Sequence, residues 1–327
     1  MKAIVHTEYG SPDVLHLKEV EKPTPKDNEV LVKVYAASVN AAESHMVRGE
    51  PFLLRLMIGA LLKPKKTIPG AAMAGRVEAV GRNVKQFHPG DEVFGDLSEC
   101  GWGAFAEYVC ASEEALVLKP VNTTFEEAAA VPLAAVTALQ GLRTKGQIRS
   151  GQKVLINGAG GGVGSFAVQI AKAFGAEVTA VCSMRNVDMV RSIGADHVID
   201  YTQEDFTMSG LRYDLIIAAN GYHPIADYKR ALSPNGTYVM TGGAEKQMYE
   251  VMLRGPWISM TGSQKMSNLM AKPNKQDLAF LKELIEAGKV KPVIDRCYPL
   301  AEVPDALRYL EEGHAQGKIV ITVADGH

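Results

Sequence analysis

The stretch Ile156-Asn157-Gly158-Ala159-Gly160-Gly161-Gly162-Val163-Gly164-Ser165 constrains this chain more than any other. It lies between an apolar, β-branched run, Lys153-Val154-Leu155-Ile156-Asn157, and a segment from Gly164 to Phe174 patterned as a helix. Glycines at such a place permit a tight turn and let backbone approach a ligand closely. The free amides and the dipole at the helix start attract negative charge. Strand, turn and helix together predict a dinucleotide site on a parallel, helix-covered sheet, with Gly158, Gly161 and Gly164 around the pyrophosphate.

The βαβ rhythm continues through strands at Glu177 to Cys182, His197 to Asp200, Tyr213 to Ala218 and Thr237 to Thr241, with a helix from Val187 to Ile193. Ile258 to Thr261 is a candidate sixth strand. The end of the second strand reports which dinucleotide is taken. A site built for NADH places Asp or Glu about 20 residues beyond the glycines, to hold the ribose hydroxyls. Here the segment is Val181-Cys182-Ser183-Met184-Arg185-Asn186, which has no carboxylate. Ser183 and Arg185 would welcome a 2′-phosphate, so the expected cofactor is NADPH.

Around this core the chain is ordinary. Its 327 residues are 46% hydrophobic and 22% charged, enough for a large core, and the formal net charge of −2 leaves no basic excess for nucleic acid. Glu8, Gly10 and Pro12 fall where an export signal needs its apolar core, and the apolar cluster from Phe52 to Leu62 is broken by Arg55 and too short to span a bilayer. Neither a membrane nor a nucleic acid is an expected partner. The four cysteines, Cys100, Cys110, Cys182 and Cys297, have no paired spacing, which fits a reducing cytoplasm. Before residue 122, short β-branched runs broken by Gly and Pro read as a mostly antiparallel β unit. The expected division is 1–122 with 264–327 as one domain and 123–263 as the dinucleotide-binding one.

Beyond the glycine turn, Ala37-Ser38-Val39-Asn40, Ala74-Gly75-Arg76-Val77-Glu78-Ala79-Val80-Gly81, Pro89-Gly90-Asp91-Glu92-Val93-Phe94-Gly95, Gly194-Ala195-Asp196-His197-Val198-Ile199-Asp200-Tyr201 and Gly317-Lys318-Ile319-Val320 occur in this order. With them the chain resembles the medium-chain dehydrogenase/reductase superfamily, in its zinc-free quinone oxidoreductase branch. The resemblance implies an α/β fold, a GroES-like, mostly-β substrate domain from both chain ends plus a Rossmann doubly wound parallel sheet. It also implies a homodimer and a cleft where nicotinamide meets a small hydrophobic acceptor. By the same resemblance Tyr201 lies beside Ser183 and Arg185 at the 2′-phosphate, and Thr137, Gly162, Val163, Asn220, Gly242, Gly243 and Lys318 contact the dinucleotide.

Where zinc-dependent relatives keep Cys, His and Cys ligands, this chain has Asn40, Ala71 and a residue near Leu133, so no metal is expected. Without a Lewis acid, oxidation of simple alcohols is disfavoured and hydride transfer to an electron-poor quinone or enone remains feasible. The positional candidates for polar help are Asn40, Glu43 and His45, with Asn40 as hydrogen-bond donor to the acceptor carbonyl or the nicotinamide ribose, and His45 as proton donor. Phe52, Leu53, Leu56, Met57, Ile58, Trp102 and Met266 would wall a greasy acceptor pocket. Two other readings stay open: a zinc-independent alcohol or aldehyde dehydrogenase using NADP, and a non-catalytic NADPH-binding sensor or crystallin-like protein.

Overall fold

The computed structural model describes residues 1–50, 63–65 and 67–324. The expected pocket residues Phe52, Leu53, Leu56, Met57 and Ile58 lie outside the described residues. In chain order the elements begin β1 (Lys2–Val5), β2 (His16–Glu19), β3 (Glu29–Val39), α1 (Ala41–Arg48), β4 (Ala72–Val80), β5 (Glu92–Asp96), β6 (Tyr108–Ser112), β7 (Leu116–Leu118) and α2 (Phe125–Ala129). Then come α3 (Pro132–Leu139), β8 (Lys153–Asn157), α4 (Gly162–Ala173), β9 (Glu177–Cys182), α5 (Val187–Ser192), β10 (His197–Asp200), β11 (Tyr213–Ala218), α6 (Ile225–Ala231), β12 (Leu232–Met240), α7 (Glu245–Thr261) and β13 (Lys265–Asn268). The chain closes with α8 (Lys275–Glu286), β14 (Ile294–Pro299), α9 (Val303–Glu311) and β15 (Lys318–Thr322).

Two compact units result. The first comprises Met1–Leu133, Pro273–Glu286 and Ile294–His327, the second Ala134–Lys272 and Ala287–Val293. The crossings fall near residues 133 and 272, later than the 122 and 263 read from texture, and a short segment, Ala287–Val293, returns to the second unit. That return is fixed by Gln169, whose side chain donates to the Lys291 carbonyl (2.9 Å) and accepts from the Lys291 amide (2.7 Å).

In the first unit seven strands share a sheet whose path is β14-β15-β3-β4-β5-β7, with β6 paired to β3. All its pairs are antiparallel except β14 with β15. The alternation of β3 supplies Val30, Val32, Val34, Ala37 and Val39 to a core shared with Met73, Phe105, Leu116, Val303, Leu307 and Ile321. Thus β15, from the far end of the sequence, is a partner of β3 in the register Ile319↔Val39 and Val320↔Ser38.

The second unit is a six-stranded parallel sheet in the order β10-β9-β8-β11-β12-β13. Counted from β8 this is 3-2-1-4-5-6, the doubly wound order that binds dinucleotides where the strand order reverses. The central strands β8 and β11 carry the continuous apolar runs Val154–Ile156 and Leu215–Ala218, all buried, as strands of a sheet covered on both faces do. Ile258 to Thr261 is not a strand: it is the last turn of α7, and the sixth strand is β13. Helix α7 buries Gln247, Val251, Gly255 and Ile258, an i, i+4, i+8, i+11 series that only a helix turns to one side. Met266, expected in the acceptor pocket, instead packs in the core of this unit with Tyr238, Val251 and Ile258. An apolar residue on a short edge strand beneath a helix is core by position, which composition does not reveal.

Candidate functional site

The glycine turn leads from β8 into α4, as the pattern predicts. Gly158 takes φ +85°, and a Cβ there would stand 2.6 Å from the Asn220 amide nitrogen. At Gly164 a Cβ would stand 2.1 Å from the Gly158 carbonyl oxygen, so this glycine is what lets α4 pack against the turn. Gly161 differs. Its backbone is extended and a Cβ would meet nothing nearer than the Gly158 oxygen at 3.7 Å. Nothing in the protein itself forbids a side chain at Gly161, so the space is open to a ligand approaching the N-terminus of α4, where Gly162 and Val163 begin the helix.

Asn220 is tied to this turn by the Asn157 carbonyl, which accepts from the amides of Ala219 (2.9 Å) and Asn220 (3.3 Å). Gly242 and Gly243 follow β12, where the Thr241 amide reaches the Ala218 carbonyl (2.8 Å). Thr137 is buried on α3. A cavity of about 460 Å³ opens beside the turn, lined by Asn157, Gly158, Tyr201, Phe206, Asn220 and His223 among others. Phe206 and His223 meet edge to face with ring centroids 4.8 Å apart. Asn157 is held by the Tyr228 hydroxyl, to which its Nδ2 donates (2.8 Å).

Tyr201 joins the end of β9, since its amide donates to the Cys182 carbonyl (3.1 Å). The structure therefore brings the expected Tyr201 beside Ser183, at the start of a helical turn, Met184–Asn186, that also carries Arg185. Asn157, Phe206 and His223 were not singled out from sequence as ligand-facing. Only their closeness to the glycine turn in space marks them, and for Phe206 and His223 nothing local in the sequence carries that signal.

The expected catalytic residues lie in the first unit. Asn40 is the N-cap of α1, and its amide donates to Glu43 Oε2 (2.8 Å), while Glu43 Oε1 accepts from the Ala71 amide (2.8 Å). The Asn40 side chain donates from Nδ2 to the Ser38 carbonyl (3.1 Å) and accepts at Oδ1 from Lys318 Nζ, which also reaches the Val39 carbonyl (2.8 Å). Asn40, Glu43 and Lys318 are all buried, Glu43 with 0% exposure. Burial pushes the Glu43 carboxyl up to about 7 against the pull of Lys318, and pushes the Lys318 ammonium down to about 8 against the pull of Glu43.

Two expectations change here. Lys318 was expected at the dinucleotide; its ammonium is spent within the first unit, because β15 pairs with β3 beside Asn40. Glu43 was expected to assist the acceptor directly; enclosed and bonded to two backbone amides, it is a support for the start of α1. His45, by contrast, is exposed on α1. Trp102 is half-buried in the loop after β5, its amide on the Leu97 carbonyl (3.0 Å).

The positions of the zinc ligands of related enzymes do not fit a metal: Asn40 is occupied by Lys318, Ala71 offers only its backbone, and among the described residues no three His, Cys, Asp or Glu side chains converge. Among the described residues no helix is long and apolar enough to cross a membrane.

Comparison with known proteins agrees with this architecture. Residues 26–121 match the alcohol dehydrogenase GroES-like domain, and residues 193–321 match the family described as zinc-binding dehydrogenase. The chain is 37% identical to the chloroplast envelope quinone oxidoreductase homolog of Arabidopsis thaliana over 98% of both chains. It is 35% identical to the NADPH-dependent alkenal/one oxidoreductase of the same plant, over 98% of this chain and 79% of the relative. A solved structure, the quinone oxidoreductase from Coxiella burnetii, superposes with a TM-score of 0.87 at 30% identity over 99% of each chain. A GroES-like unit, a 3-2-1-4-5-6 Rossmann unit and these full-length likenesses place the chain in the medium-chain dehydrogenase/reductase superfamily, among its zinc-free quinone oxidoreductase and alkenal reductase members.

Proposed function

We propose that this protein is an NADPH-dependent oxidoreductase that delivers hydride to a quinone or an α,β-unsaturated carbonyl compound. The observation that carries the cofactor is the end of β9, where Ser183 and Arg185 stand in place of an acid beside Tyr201. The acceptor class follows from relatives named for quinones and for alkenals and enones, together with a donor set that does not fit a metal. NADPH, when bound, supplies the hydride; the chain's part is to hold, orient and protonate. Gly161, Gly162 and Val163 receive the pyrophosphate at the start of α4, and Thr137, Asn220, Gly242 and Gly243 flank the dinucleotide.

In the first unit, Lys318 fixes Asn40 Oδ1 and the Ser38 carbonyl takes one hydrogen of Asn40 Nδ2, which leaves the second Nδ2 hydrogen as the donor proposed for a ligand. Asn40 is the proposed hydrogen-bond donor to the acceptor or the ribose, and the exposed His45 the proposed proton donor. Trp102, and Phe52, Leu56 and Met57 outside the described residues, are the proposed apolar wall. Thiolate chemistry is not part of the scheme, because burial raises all four cysteines, Cys110 and Cys182 to about 11. Free thiols of this kind suit a reducing compartment, proposed as the cytoplasm.

Anaerobic oxidation of NADPH and NADH against an ortho-quinone, a para-quinone, a cyclic enone and an aldehyde is the direct test. Turnover of quinone or enone with preference for NADPH is the expected result; NADPH binding with no turnover on any acceptor would sink the proposal. Arg185→Glu is expected to lower the NADPH over NADH preference at least tenfold, read as the ratio of kcat/KM values.

The proposed assembly is a homodimer. Helix α7 turns Tyr249, Met252, Leu253, Trp257 and Met260 outward, with Leu253 81% and Met260 86% exposed. A stripe at helical spacing is self-complementary across a two-fold axis and has the apolar, Met- and Trp-rich character of a dimer core. Leu253→Glu with Trp257→Glu is expected to convert a dimer to a monomer in sedimentation at micromolar concentration, with melting of the monomer close to that of the parent.

A further inference from the structure

The cavity beside the glycine turn opens at the carboxyl ends of β8, β10 and β11, where Asn157, Tyr201 and Asn220 stand. One wall is aromatic. Phe206 is buried, and the His223 ring meets both Phe206 and Tyr228 edge to face, with centroids 4.8 and 5.7 Å apart, which fixes the plane of the imidazole. Three acceptors share the lining. Asn157 is 5% exposed and its Nδ2 is spent on the Tyr228 hydroxyl (2.8 Å); its Oδ1 has no donor among the described residues and is not sealed from the cavity. Asp205 gives Oδ1 to the Thr207 amide (2.8 Å) and keeps Oδ2. Desolvation pulls the Asp205 carboxyl up, but hydrogen bonds from Thr207 hold it below its ordinary value, so it stays an ionised acceptor. Glu204 is exposed beside it. No Lys or Arg is among the lining residues.

This lining discriminates among the parts of a dinucleotide. A phosphate here would meet two carboxylates and no cation, whereas the start of α4 and Arg185 offer it donors. A purine suits the cavity, because its faces fit an aromatic wall and its exocyclic amino group brings two hydrogens to acceptors. Stacking accepts any base, so it supplies affinity and leaves identity open. The acceptors read identity. A 6-oxo group in place of the 6-amino group would set oxygen against oxygen and leave the wall unpaired. We infer that this cavity is a purine subsite that selects a 6-amino over a 6-oxo group, with Asn157 Oδ1 and the Glu204 and Asp205 carboxylates making the selection. This subsite rests on the proposed reading of the glycine turn as a dinucleotide site.

The test is direct binding of NADPH and of its 6-oxo analogue, in which hypoxanthine replaces adenine, to the full chain, followed by nicotinamide fluorescence. Both carry the same phosphates, so their affinity ratio cancels any general effect of charge. The parent is expected to bind NADPH at least tenfold more tightly than the analogue. Glu204→Gln with Asp205→Asn keeps the cap on Thr207 and turns two acceptors into amides that can also donate. This variant is expected to lower the ratio at least threefold, chiefly by tighter binding of the analogue. Asn157→Ala removes the buried acceptor and is expected to lower the ratio at least threefold, with ligand-free melting as the control for folding. A parent that binds both dinucleotides within twofold of each other overturns the subsite and leaves the dinucleotide reading standing. So does a strong parent preference that the Glu204→Gln, Asp205→Asn variant leaves unchanged, since the selection then lies elsewhere. A parent that binds neither overturns both.

Discussion

Lys318→Met is expected to unfold at lower denaturant than the parent, by a margin that widens as pH rises. At pH 8 the loss is about 3 kcal/mol, of which stranding the Val39 and Asn40 oxygens without their donor accounts for about 1–3 kcal/mol. The remainder comes from Glu43. In the parent its carboxyl is raised by burial to about 7 with Lys318 pulling the other way. A carboxyl raised on folding holds its proton more tightly in the native state, so stability is full below the unfolded value near 4.5 and falls as pH climbs toward 7. Removing the ammonium extends that fall above 7, at up to about 1.4 kcal/mol per pH unit. Glu43→Gln has the opposite slope. Lys318, lowered by burial to about 8 and partly held up by Glu43, then loses its counter-charge, and the variant loses stability relative to the parent as pH drops below 8. Urea titrations at pH 5, 7 and 9 on the parent and both variants read the slopes. Parallel curves for all three would show that the two groups are not coupled in the native protein.

This pair also shows where sequence reasoning ends. The strands Glu177–Cys182 and Tyr213–Ala218 and the glycine turn are legible to the residue, because periodicity, β-branched runs and glycine spacing are local properties. Ile258 to Thr261 misleads for the same reason: a short apolar run carries no period of its own, and only the longer series from Gln247 to Ile258 identifies a helix. The catalytic segment is legible as a place but not as an arrangement. Asn40 and Lys318 are 278 residues apart, and they meet only because β15 returns to pair with β3. Nothing along the chain says that Lys318 is buried against α1, so it is read as a cofactor ligand. Nor does anything say that Glu43 is closed off by the Ala71 amide. Asn157 is similar: along the chain it only ends a strand, while the setting of its carboxamide depends on Tyr228, 71 residues on.

Gly161→Val and Gly164→Ala separate the two reasons for which a glycine stands in a phosphate turn. At Gly164 the constraint is internal. A methyl group there would sit 2.1 Å from the Gly158 carbonyl oxygen, so α4 must move off the turn or the turn must open. The expected cost is about 3 kcal/mol of stability, visible in melting without any cofactor. At Gly161 the protein offers a side chain open space, with the nearest atom 3.7 Å from a Cβ, and an extended backbone that any residue adopts. Gly161→Val is therefore expected to melt within a degree or two of the parent and yet bind NADPH at least a hundredfold more weakly, because the added methyls occupy the approach to the helix-start amides. The loss falls equally on NADPH and NADH, since both carry the pyrophosphate. That equality distinguishes it from Arg185→Glu, whose effect is selective for the 2′-phosphate. Normal cofactor affinity in a well-folded Gly161→Val would place the pyrophosphate somewhere other than the start of α4. Loss of folding in that variant would instead mean that a side chain at 161 meets the protein itself.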